Sequence, residues 1–477
     1  MKLKQSLLAL LATGTVVSAA HADMTLISND KGSLDFYSII DVAMVTQDHS
    51  LSISPSMPMD IFPYQAQPIG PTHSVSGLIG GGLSDSRIGF KGALNMDSTA
   101  KAIFDLETGF DPVSGQINSA AAAIAANPIA LKPGSLQTNG GTAFTRGAGF
   151  GLNSENADSS LNGQLFNRAA WFGLTDQRWG QVTVGLQFNP MKEEFMAYDP
   201  VKSDSFSPFG ESGTIGGGGG VSEDARMENS VRYQYHSNGY VFDAAYQFGN
   251  NTSSNGVIGG SGVGDAYALR IGYDDSRFGI EASYNNFTDT LKAVNAVNPA
   301  MAGLSAGTTL TYGNQLFGYA PGEIALAELN TEAFLLAVKY TGFTDLNLSA
   351  GFESFTDSHA SDNVSISSIW NTPVQYVFQP YGVGQSQTTN IWFAGGDYNL
   401  TPRWNLALGY YNVDQGNTTG TSNSSGTVEI FSGVLSYHLY KNADLYLAAT
   451  TNNFSGPAFT GDWSSVTAYG LGGRVKF

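Results

Sequence analysis

Ser436 and His438 stand two residues apart, and a Ser and a His on one strand face are the raw material of a nucleophile and its general base. Geometry decides before residue type does. Leu435, Tyr437 and Leu439 take one side of the alternation, so Ser436 and His438 share the other, away from the apolar surface. The remaining histidines offer less: His49, His73 and His359 fall in loops, and His236 shares the parity of Arg232. None of the six is followed by Glu, which excludes a His-Glu-x-x-His zinc site. No loop has EF-hand spacing, the absence of a Gly-Lys dipeptide excludes a phosphate-binding P-loop, and the absence of cysteine excludes disulfides and thiolate metal sites. No cofactor is expected.

Charges have more to do than nucleophiles. Arg87 and Lys91 oppose Ile88 and Phe90, while Lys101, Asp105 and Glu107 oppose Ala102, Phe104 and Leu106. Arg232 and Arg270 read the same way, each on the polar side of its segment. The stretch 190–228 gathers Tyr198, Asp199, Lys202, Asp204, the run Ser207-Pro208-Phe209-Gly210-Glu211 and five glycines at 216–220. A strand with one apolar face and one polar or small face fits a wall between lipid and water, where charges point at the water.

The elements that must carry these residues are strands. About sixteen segments of roughly ten residues alternate apolar and polar side chains. They are Leu34–Val45, Leu83–Leu94, Thr99–Gly109, Leu165–Thr175, Gly180–Asn189, Asn229–Ser237, Tyr240–Gly249, Asp265–Asp274, Phe278–Asp289, Leu329–Thr341, Asp345–Phe355, Thr388–Leu400, Arg403–Val413, Thr427–Tyr440, Ala443–Phe454 and Ser465–Phe477. Boundaries drift enough that fourteen or eighteen would also fit. Connections alternate between short turns, such as Asn95–Ser98 and the hairpin dipeptide Asn238-Gly239, and long loops, of which 110–164, 190–228, 290–328 and 356–387 are the largest. Trp404, Tyr410, Tyr437, Tyr440, Tyr446 and Tyr469 fall near segment ends, where headgroup-level girdles would need them. No fixed-period repeat is present, which excludes a propeller or solenoid. The expected fold class is an all-β, transmembrane antiparallel barrel of sixteen strands.

Composition agrees. Lys2 and Lys4 precede an apolar stretch, Leu7–Val17, and then Ala20-His21-Ala22, which reads as a cleaved secretory signal over residues 1–22 and leaves 23–477 as one barrel domain. No later segment is a spanning helix, so a membrane crossing must use a closed barrel. The formal charge of −18 becomes more negative once the signal lysines leave, which argues against nucleic acid as a partner. Charged residues make up 13% of the chain, about half the share of a soluble domain.

Ser86-Arg87-Ile88-Gly89-Phe90-Lys91-Gly92 resembles the general diffusion porins of Gram-negative bacteria, above all the proteobacterial subfamily. Lys101–Phe110, Gln164–Arg168 leading into Ala170–Leu174, Gly180–Gly185, Glu228–Tyr233 and the terminal Gly472–Phe477 follow in family order. Phe36–Asp41 resembles the family's first strand, with Ser38 where Gly is usual. The likeness is strong over 34–245 and at the C-terminus. It implies an outer-membrane homotrimer of sixteen-stranded barrels, a long second loop latched onto a neighbouring subunit, and passive diffusion of ions and small hydrophilic solutes. It further implies surroundings of outer-membrane lipid and lipopolysaccharide, with the terminal Phe477 as the signal read by the barrel-assembly machinery.

The same resemblance places a constriction. The third extracellular loop, about 190–228, folds inward, with Pro208-Phe209-Gly210-Glu211 as its tip and the acid displaced from before Phe209 to Glu211. Asp199 and Asp204 are further acidic candidates, and Arg87, Arg168 and Arg226 match the family's arginine wall, joined by Lys91, Lys101 and Arg232. A basic wall facing an acidic loop would set a transverse field; the alternative is that these charges pair with one another and hold the loop. Acid in the loop leans the expected preference toward cations, whereas an arginine ladder would favour anions. Two other classes compete. Tyr198, Phe206 and Phe209 would suit a substrate-selective channel with an internal aromatic or sugar site, and the Ser436/His438 pair an embedded esterase or phospholipase.

Overall fold

Alternation becomes a closed wall. The computed structural model describes residues 24–50, 73–117, 137–138, 154–156, 165–209, 225–249, 264–295, 309–312, 315–318, 324–361, 368–369, 372–379, 381–420, 422, 425–457 and 464–477. The barrel strands are β1 (Gly32–Ser50), β2 (Arg87–Asn95), β3 (Ala100–Asp111), β4 (Ala169–Asp176), β5 (Gly180–Phe188), β6 (Arg226–Ser237), β7 (Tyr240–Gln247) and β8 (Asp265–Asp274). They continue as β9 (Phe278–Asn295), β10 (Ile324–Tyr340), β11 (Leu346–His359), β12 (Ser386–Thr401), β13 (Trp404–Gln415), β14 (Gly426–Tyr440), β15 (Ala443–Ser455) and β16 (Ser465–Lys476). Each pairs antiparallel with the next, and β16 closes the ring on β1 with Ile39 opposite Lys476 and Gln47 opposite Ala468. The count is sixteen. Asn238 and Gly239 both take positive φ, 53° and 85°, the two-residue turn that joins β6 to β7 with Ser237 opposite Tyr240.

Tyr240–Gln247 shows the physics in one strand: Tyr240, Phe242 and Tyr246 are exposed while Val241, Asp243, Ala245 and Gln247 are buried. The exposed set around the ring includes Phe172 (67%), Leu471 (59%), Leu408, Leu447 and Ile271, which is the face that meets lipid. Trp404 and Tyr437 pair across strands at 4.7 Å, and Tyr240 and Tyr273 at 5.4 Å, both at the short-turn end. Tyr446 departs from the girdle expectation. It is buried on the inner face and donates its hydroxyl to Asp41.

Four local features differ from the sequence reading. The second strand does not begin at Leu83: a strand His73–Gly80 pairs with the upper half of β1, β2 with the lower, and residues 81–86 break the line. Gly81 sits at φ 86°, and the Asp41 carboxylate accepts the main-chain N–H of Leu83 and Ser84, each at 3.0 Å, so the break is held open. An N-terminal strand, Met24–Asn29, pairs with the foot of β1 beside the place where β16 ends. β9 and β10 run past the wall to Asn295 and Ile324. There Ser154–Asn156 joins β9 and Thr372–Phe378 runs parallel to β10. Parts of the loops 110–164 and 356–387 thus join the sheet, because the extended hairpin offers them its two edges.

The inner face is not uniformly polar either. From β10 to β16 it presents Leu335, Ile391, Phe393, Tyr411, Val413, Val428, Ile430, Ala448 and Ala468, all buried. They are buried because another part of the chain covers them.

Candidate functional site

That cover is the segment 190–209. It opens as α1 (Pro190–Tyr198), capped by Asn189, whose side chain accepts from the Met191 N–H at 2.9 Å, with Pro190 in the first turn. The helix replaces an expected loop; Asn189-Pro190 followed by Glu193 is the signal the sequence carries for it. Met191, Phe195, Ala197 and Tyr198 are buried against the wall, and Phe195 stacks on Phe209 at 4.5 Å. Phe209 also meets Phe393 at 5.0 Å and Tyr411 at 5.6 Å. The aromatic side chains Tyr198, Phe206 and Phe209 therefore pack the segment down and are not presented to solutes.

The wall makes room by omitting side chains. A Cβ on Gly395 would fall 2.7 Å from Pro200, and one on Gly409 would fall 2.7 Å from Val201. Gly470 lies under the Phe206 ring and Gly279 under the Tyr198 hydroxyl. These four glycines lie on β12, β13, β16 and β9, so together they trace the path of the segment across the interior. At the far end Ser203 Oγ donates to Gly82 O at 2.9 Å and Ser205 N to the same carbonyl at 3.2 Å. The strand break at 81–86 is the dock for the segment.

At the near end charges clamp the helix. Glu193 lies 2.7 Å from Arg232 and 3.1 Å from Arg270, while Arg232 also pairs with Asp243 and Arg270 with Glu281 at 2.5 Å. Burial opposes ionisation of Glu193, but the two guanidinium groups hold its carboxyl below the usual range. Its neighbour Glu194 differs. Burial pushes it up to about 8, against a hydrogen bond donated by Ser283 and with the Glu281 charge adding to the rise. Asp199 is also raised by burial; it accepts from the Tyr411 hydroxyl and from the main-chain N–H of Val201 and Lys202 at 3.3 and 3.0 Å. It shapes the turn after α1. Asp204 is likewise buried, its N–H on Leu83 O at 3.4 Å. Glu211 lies outside the described residues, as does the part of the second loop read as a subunit latch.

The arginines expected on the wall lie close together. Arg168 donates to Glu107 and to Asp85, each at 2.6 Å, and Arg87 lies 3.3 Å from Glu107. Arg226 donates to Arg168 O at 2.8 Å and stacks over Phe188 at 4.6 Å. Arg87, Arg168 and Arg226 are all but fully buried. Lys91 lies 5.5 Å over the Tyr37 ring, whose hydroxyl donates to Asp105 at 2.7 Å, and Lys101 is half-buried nearby on the same strand as Asp105. Parity had given the inward side of Arg87 and Arg168, and the resemblance alone that of Arg226; neither carried information on the pairing of Arg87 and Arg168 with Glu107 and Asp85. Ser436 and His438 do share the inner face, but His438 Nδ1 pairs with Asp444 Oδ1 at 2.6 Å, and no hydrogen bond joins it to Ser436 among the described residues.

A family model described as Gram-negative porin matches residues 6–457. An outer membrane porin protein of Bordetella pertussis is 24% identical over 440 residues, covering 86% of this chain and 94% of that protein. Among solved structures, the anion-selective porin from Comamonas acidovorans has a TM-score of 0.56 at 14% identity, covering 94% of this chain and 100% of that one. Outer-membrane expressed OmpT of Vibrio cholerae has a TM-score of 0.53 at 13% identity, covering 94% and 99%. At such identities the two structures bear on the fold alone.

Proposed function

Because this chain belongs to the Gram-negative porin family, we propose that its opening is the gap left between the docked segment 190–209 and the polar inner wall of β1–β8. The protein is an outer-membrane porin, a water-filled barrel for passive diffusion of ions and small hydrophilic solutes, and not an enzyme. The observation that supports the constriction is that the segment is held at both ends, by Arg232 and Arg270 on Glu193 and by Ser203 and Ser205 on Gly82. In this reading Arg87, Arg168 and Arg226 brace the wall, with Asp85 and Glu107 as the counter-charges of Arg87 and Arg168, and Lys91, Lys101 and Arg232 complete it. Asp199, Asp204 and Phe209 serve the shape of the loop. The buried Tyr198, Phe206 and Phe209 give no support to an internal aromatic site.

A homotrimer is part of the proposal. It is supported by the family, and by a trimer form among the solved OmpT structures of Vibrio cholerae that share this fold at a TM-score of 0.52. Removal of residues 1–22, which lie outside the described residues, contact with lipopolysaccharide, and recognition of Phe477 by the assembly machinery complete it. Single-channel recording of the refolded protein in a planar bilayer tests the reading. Ohmic steps that close in groups of three are expected. Single independent steps would remove the trimer, and steps with no size cut-off for sugars in liposome swelling would remove the constriction.

A further inference from the structure

Lys202 is the one exposed residue in the described inward segment. From Pro190 to Phe209 its neighbours are buried, apart from the half-buried Glu193 and Met196. Val201 before it lies on Gly409 and Ser203 after it is bound to Gly82 O, so the side chain leaves the wall midway along the path across the interior. Its φ is 51°, a left-handed conformation uncommon for a residue with a Cβ. The bond from its N–H to Asp199 Oδ2 at 3.0 Å fixes it there. A backbone held in such a region by its surroundings is a pointer to function.

Several of the inward charges have partners of their own. Arg87 and Arg168 face Glu107 and Asp85, Arg232 and Arg270 face Asp243, Glu193 and Glu281, and Asp199 is enclosed by its hydrogen bonds. The Lys202 ammonium has no ion-pair partner among the described residues. We propose that Lys202 is the residue that sets the ion preference of the pore, giving it a preference for small anions, contrary to what the acid-rich loop sequence suggests. A charge held about 5 Å from the ion path in water is worth roughly a fourfold change in local ion concentration, less whatever salt screens.

The inference rests on the channel reading, and reversal potential under a KCl gradient tests the two separately. Steps of ordinary conductance from wild-type protein establish the channel. The wild type is then expected to reverse on the chloride side, K202R to match it, and K202E to lose the preference several-fold or invert it. The chain contains no cysteine, so K202C supplies a unique thiol that does not depend on K202E folding. A cationic methanethiosulfonate should restore chloride preference there, and an anionic one should push it toward potassium. A wild type that prefers potassium, or equal permeability ratios for K202E and wild type in channels of unchanged conductance, would assign the field to acids elsewhere in 190–228 and overturn the proposal. So would modification of K202C that leaves the reversal potential where it was.

Discussion

Arg168 shows what a single side chain does here. Its two carboxylate partners are buried with it, so replacing it with Met takes the guanidinium from Asp85 and leaves Glu107 with Arg87 alone, a loss that costs about 3–5 kcal/mol where buried pairs have been broken. R168M is expected to unfold at markedly lower urea in detergent, measured by loss of heat-modifiable migration, while the same variant with Asp85→Asn, which keeps Glu107 for Arg87, recovers part of the loss. Glu194 gives a pH prediction. Its carboxyl in the docked helix is raised from the ordinary value of 4.5 to about 8, so docking favours the protonated form. Its contribution is full below about 4.5 and is lost as pH rises through 8. Protease cleavage within 190–209 should therefore increase over that window, and E194Q should flatten the profile. The sequence made the inward side of Arg87 and Arg168 readable from parity alone. It could not show their burial, because parity reports a face and not what lies over it.

At the level of elements, the docking groove is a property of four strands acting together. Val at position 470 would put two methyls into the volume taken by Phe206, so G470V is expected to unseat the segment. Single-channel records should then become noisy and larger in mean conductance, while the heat-modifiable barrel persists. The sixteen strands were legible because each carries its own alternation and each short turn its own chemistry, as Asn238-Gly239 does. The strands Ser154–Asn156 and Thr372–Phe378 were not legible, since each exists only through pairing with a partner far away in sequence. The break at 81–86 was hidden for a related reason: Ser86–Gly92 alternates well, but the bend before it depends on Asp41, more than forty residues earlier. The apolar inner face of β10–β16 was not legible either, since what covers it, α1 and its continuation, lies more than a hundred residues earlier in the chain.

For the whole molecule, closure joins first strand to last, and Phe477 exchanges backbone hydrogen bonds with Ser38 at 2.9 and 3.1 Å. Removing Phe477 is expected to lower the yield of folded barrel both in cells and in detergent refolding, where no assembly machinery is present; a loss confined to cells would mean that recognition, rather than closure, is its role. The ring leaves no free edge within the lipid layer. A barrel of this size could remain hollow, yet here a large buried apolar cluster lies inside, between one wall and the segment 190–209 proposed to narrow the passage. Bore and folding stability therefore draw on the same residues. A lineage under pressure to admit bulkier or fewer solutes cannot easily trim the segment without giving up core. Its viable changes should accumulate instead at Lys202 and on the opposing wall of β1–β8, where the side chains can vary while the interior packing is inherited intact.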